Sequence, residues 1–187
     1  MKQLVILALL VGIILSVVAG CRQVGRDVEV IVEGGGQFPE FLVGTWRADT
    51  DGWEFVFDAD GRISSAVISL GRIRLKPGGV TTVPMREGSK GVFKPGEWMV
   101  YYIPDGRDLT VNISLKHFSA ELGGGILEGR SKDVFFGPIS EDGRVWEAAW
   151  TSFPDYTAHT PERSNYKLPT DLVYGMSKHL IFKKVLR

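Results

Sequence analysis

The chain has three histidines, one cysteine and 22 acidic residues, and their spacing limits what chemistry they can do. His117, His159 and His179 are far apart in sequence. A lone cysteine cannot build a multi-cysteine zinc site or a disulfide framework. No Gly-x-Ser-x-Gly elbow, His-Glu-x-x-His helix or Gly-x-x-x-x-Gly-Lys-Ser/Thr phosphate loop is present. Acid pairs such as Glu141-Asp142 sit in turn signals, where carboxylates cap bends. No metal, no cofactor and no enzymatic activity are expected.

Residues suited to non-covalent binding are better represented. Leu109, Val111, Ile113 and Leu115 alternate with Thr110, Asn112, Ser114 and Lys116, the cleanest period-two run in the chain. His117 continues the apolar face and is expected to point inward near one end. There an imidazole can hydrogen-bond a ligand carboxylate or a neighbour at the rim. Trp98, Val100 and Tyr102 share one strand face, and Trp146, Ala148 and Trp150 share another. Such aromatics line an apolar cavity or fill a solid core. The pocket candidates are therefore Trp98, Tyr102, His117, Trp146 and Trp150. Arg62, Arg72 and Arg74 are expected to point outward, where charge blocks edge-to-edge pairing.

The elements that must position these groups read as strands. Trp53, Phe55 and Phe57 alternate with Glu54 and Val56, and Asp58-Ala59-Asp60-Gly61 supplies a turn. Ile63 to Leu75 is rich in β-branched residues, with Gly71 as a bend or bulge. Trp98–Ile103, Leu109–Lys116, Ile126–Phe136, Arg144–Trp150 and His179–Val185 follow, separated by Asp-Gly or Gly-rich turns. No helical periodicity is visible after residue 20. The expected fold is all-β: an antiparallel up-and-down barrel of about eight strands.

Two stretches interrupt that rhythm. Ser152 to Lys178 contains Pro154, Pro161 and Pro169 with little alternation, and is expected to be a long packed strap held by aromatics, the alternative being a lid or binding loop. Gly78 to Gly91 is expected to be a loop at a barrel mouth. Arg22 to Glu40, with Gly34-Gly35-Gly36, is expected to be a flexible tether, although Val28, Val30 and Val32 would also suit a short strand.

Met1–Gly20 has the layout of a secretory signal helix: Lys2, a long apolar run, then small residues. Val18-Ala19-Gly20-Cys21 resembles the lipobox of bacterial lipoproteins. The resemblance implies a diacylglyceryl thioether on Cys21, cleavage before it, and acylation (palmitate or a similar chain) of the new amine. Several acyl chains anchor a protein stably where one is marginal. The resemblance implies residence in the cell envelope. Arg22 in place of an inner-membrane Asp signal favours the outer membrane, facing the periplasm or the surface.

Phe41-Leu42-Val43-Gly44-Thr45-Trp46-Arg47 resembles the first-strand motif of the lipocalin and fatty-acid-binding superfamily. The resemblance implies that Gly44 lets the chain pass under the barrel floor and that Trp46 plugs that end. It also implies a basic partner on the indole, with Lys183, Lys184 and Arg187 as candidates. The same stretch is similar to the start of nitrobindin-type haem barrels, whose late-strand histidine would correspond to His179. Ala48-Asp49-Thr50 stands where that family has Gly-x-Gly, so haem is not expected.

Positive and negative side chains balance at 22 each, apolar residues make up 44%, and the composition is that of a globular protein. A neutral chain has no field to steer nucleic acid, and no such partner is expected. The expected organisation is a signal over 1–20, a lipidated cysteine and tether over 21–40, and a lipocalin-like domain over 41–187. The expected function is binding of a small apolar or amphipathic ligand without catalysis. The alternative is a structural or protein-interaction lipoprotein of the envelope with a solid interior, which a small cavity would favour. No particular protein partner is implied.

Overall fold

The computed structural model describes residues 27–85, 90–122, 125–159 and 175–186. The signal, Cys21, Arg187 and the whole Pro161–Pro169 stretch lie outside the described residues. Among the described residues there is no α-helix, and no helix long and apolar enough to cross a membrane.

Twelve strands form one sheet. They are β1 (Val28–Val32), β2 (Gly44–Ala48), β3 (Glu54–Phe57), β4 (Ile63–Ile68), β5 (Ile73–Leu75) and β6 (Thr81–Pro84). Then come β7 (Lys90–Pro95), β8 (Trp98–Ile103), β9 (Asp108–Leu122), β10 (Gly125–Pro138), β11 (Val145–His159) and β12 (Met176–Lys184). The order is β1-β8-β9-β10-β11-β12-β2-β3-β4-β5, and β6 pairs β7, which pairs the far half of β9. All pairings are antiparallel except β1 with β8.

The all-β expectation holds, but two of its details do not. There are more than eight strands, and the sheet is not closed into a barrel. β5 is three residues long and runs into the turn at Lys76–Gly79, and β6 pairs only with β7. Among the described residues β6 is therefore a further edge, and the main run of strands ends at β1 and β5. They approach without bonding: the turn at Gly78 lies against the Asp27 carboxylate just before β1.

The expected tether is partly fold. Val28–Val32 joins the sheet beside β8 because Val28, Val30 and Val32 turn one apolar side to the interior, where Val28 is buried. The expected mouth loop at 78–91 contains the β6–β7 pairing. The expected strap at 152–178 is mostly strand where it is described. β11 runs through Pro154 to His159, and β12 begins at Met176. Among the described residues β12 pairs β11 only as far as Ser152, so Pro154 takes no part in that ladder and stands opposite Ser131 of β10.

The interior is aromatic. Phe55, Phe135, Trp146 and Phe182 pack ring to ring, with centroids 4.8–6.3 Å apart, and all four are fully buried. Burial of such side chains is the main stabilising term, at roughly 25 cal/mol per Å² of apolar surface.

One end of the sheet is closed around Gly44-x-Trp46. Gly44 has φ +119°, a conformation open to glycine, and Trp46 is fully buried with Nε1 donating to the Leu42 carbonyl at 2.8 Å. Lys184 stands opposite Trp46 in register, but its ammonium donates to the Phe41 carbonyl at 2.7 Å. Lys183 is exposed. The cation–π contact at this end is Arg107 over Phe41, 4.5 Å from the ring centre. Arg107 also donates to the Ser140 carbonyl at 2.9 Å, tying the β8–β9 turn to the segment after β10.

A candidate ligand cavity at the open end

The opposite end is built differently because β9, β10 and β11 are long. Their far halves run on past β12 and β2–β5 and carry their own small cluster: Phe93 stacks on Phe118, and Phe118 meets Tyr156 edge to face. Between this cluster and the main core lies a cavity of about 80 Å³, partly open to solvent. Its apolar wall includes Trp53, Leu70, Phe118, Leu127, Trp150 and Met176.

The wall also carries the hydroxyl-bearing side chains Ser69, Ser131, Ser152 and Tyr156 and the carboxyl of Asp133. Asp133 is 7% exposed. It faces inward because β10 alternates: Leu127, Ser131, Asp133 and Phe135 lie on one side, while Arg130, Lys132 and Phe136 lie on the other. Trp150 Nε1 donates to Asp133 Oδ1 at 3.0 Å, and Ser131 Oγ lies 3.5 Å from Oδ2. Ser152 stands directly opposite on β11 and also hydrogen-bonds the carboxyl. Burial pushes the Asp133 pKa up, against those three hydrogen bonds. No Lys, Arg or His forms an ion pair with it among the described residues. Trp53 Nε1 is buried and has no hydrogen-bond partner among the described residues.

Of the residues singled out from sequence, Trp150 lines this cavity and the others do not. Trp98 is buried with Nε1 donating to the Ser114 carbonyl at 3.0 Å. Trp146 is in the central cluster, with Nε1 donating to the Gly137 carbonyl at 3.1 Å. Tyr102 meets Phe41 edge to face at the closed end. These three fill the core.

His117 is a correction. β9 carries a bulge: Leu115 pairs Ser131 and Phe118 pairs Gly129, so Lys116 and His117 together oppose Arg130 alone. The extra residue shifts the alternation by one. Phe118 takes the inward place and His117 turns out, its Nε2 3.8 Å from Glu128 Oε1.

The arginines lie on the outer face, as expected. Arg47, Glu54 and Arg74 form a cross-strand row over β2, β3 and β5. Arg47 Nη2 is 2.8 Å from Glu54 Oε2, and Arg74 Nη2 is 2.6 Å from Glu54 Oε1. Burial would raise the Glu54 pKa, but the two guanidiniums outweigh it and hold the carboxyl below its ordinary range. His159 stands opposite Ile126 of β10, and His179 opposite Ala149 of β11. Among the described residues, no three His, Cys, Asp or Glu side chains gather closely enough to hold a metal ion.

Asp133 and Trp53 were not identified as site residues from sequence. A signal for Asp133 was present: Arg130 and Lys132 must face water, which puts the intervening Ser131 and Asp133 inside. No known protein family, curated protein or solved structure matches the chain.

Proposed function

We propose that the chain is a lipid-anchored protein of the cell envelope, held to a membrane through Cys21, whose lipocalin-like sheet binds a small apolar or amphipathic ligand without catalysis. The observation that carries this reading is the open-end cavity: an apolar wall around one buried, hydrogen-bonded carboxyl. A group of that kind is costly in a purely structural core, where an apolar residue would serve better. Ligand sites combine an apolar wall with a few placed polar groups. The small volume limits the ligand to a short molecule, or to the end of a longer one whose remainder lies outside.

The same volume favours a second reading. Trp46, Trp98 and Trp146 fill the rest of the interior, as they would in a structural or protein-interaction lipoprotein with no ligand. Native mass spectrometry of the full chain, purified from its own host in a neutral detergent, separates the two. A small molecule bound in stoichiometric amount, identified by extraction, supports the first reading. A chain that is empty and stays empty on adding small apolar molecules supports the second.

A further inference from the structure

The charge of the cavity wall narrows the ligand class, given that the cavity is a ligand site. Its one ionisable side chain with a strong charge preference is an acid, Asp133, and no Lys, Arg or His lines it among the described residues. The other buried acid, Glu54, shows what a satisfied carboxylate looks like in this fold: two guanidiniums within 2.8 Å. Asp133 has hydrogen-bond donors but no counter-ion among the described residues. An anionic head group placed here would meet a carboxyl with no cation to offset it. Aromatic rings surround the site, and ring faces attract cations.

We propose that the cavity takes a small protonated amine, its ammonium against the Asp133 carboxylate and its short apolar body among the rings of Trp53, Trp150 and Phe118. The ammonium supplies the positive charge that the wall lacks. Trp150 Nε1 holds Oδ1 in place, the Ser131 contact to Oδ2 is long, and Ser152 also bonds the carboxyl, so none of its partners supplies a charge. The cavity volume suits a chain of a few carbons, so the polar end carries the discrimination.

The test uses the full chain in a neutral maltoside detergent and three probes of equal length: n-butylammonium chloride, n-butanol and sodium butyrate. Binding is read from saturable shifts of the tryptophan indole N–H resonances. Butylammonium is expected to bind at least tenfold more tightly than butanol, with butyrate weakest. Asp133→Asn is expected to abolish the tenfold preference while butanol still binds, which shows the cavity intact. Butanol or butyrate binding as tightly as butylammonium, or a preference that survives Asp133→Asn, overturns the amine assignment and leaves the cavity as a site for another ligand. Binding of none of the three overturns the cavity reading, and the amine assignment with it.

Discussion

Trp150 and Asp133 lie on adjacent strands, face the same interior, and are joined by an Nε1–H···Oδ1 hydrogen bond of 3.0 Å. The pair marks a boundary. On one side the Trp150 ring stacks on Phe135 at 6.0 Å and the aromatic core is solid. On the other side lies the cavity. The bond orients a buried carboxyl whose other partners are the hydroxyls of Ser131 and Ser152, and so ties the packing of the core to the chemistry of the cavity.

Asp133 should make the fold less stable as pH rises. Its folded pKa is raised, so the native state keeps a proton that the unfolded chain gives up. Stability is then lost from the unfolded carboxyl value, about 3.9, up through the folded one. Asp133→Asn should unfold at a higher denaturant concentration than the parent at pH 8, with the difference vanishing near pH 3. Urea titrations at several pH values check this.

Glu54 should act with the opposite sign. Its folded pKa is lowered, so its contribution is present above the unfolded value and is lost as pH falls through the folded one. Glu54→Gln should cost about 1–2 kcal/mol at neutral pH and flatten the acid limb of the stability profile. Thermal melts between pH 2 and 7 would show it.

Trp46→Ala should cost about 3–5 kcal/mol, the usual penalty for emptying a large aromatic site. It also removes the bond to the Leu42 carbonyl. Trp46→Phe keeps most of the volume and should cost less. An unchanged melting temperature for the alanine variant would contradict the role of this residue in closing its end of the sheet.

Ser69→Trp places a large side chain in the turn between β4 and β5 that lines the cavity. It should abolish binding of small ligands and leave the melting temperature close to that of the parent. Calorimetry and a ligand titration on one preparation measure both.

Much of the fold is legible in the sequence because period-two alternation survives in long strands. Leu109 to Leu115 and Trp98 to Tyr102 face inward as the pattern requires. His117 is misread because a bulge inserts one residue without any glycine or proline to announce it. β1 is obscured by the triple glycine that follows it, and the run of β11 through Pro154 by the proline itself. Barrel closure is a long-range property of β5 and β6, and no local pattern reports on it. Asp133 is legible only once the flanking Arg130 and Lys132 have fixed which face of β10 is wet.

The central claim is that the open end, and not the core, holds a ligand. The five tryptophans give a direct test, because Trp53 and Trp150 line the cavity while Trp46, Trp98 and Trp146 do not. Indole N–H resonances of the full chain, followed during a titration with n-butanol, should show saturable shifts at Trp53 and Trp150 and little change at the other three. No saturable shift at either residue, or equal shifts at all five, would contradict the claim.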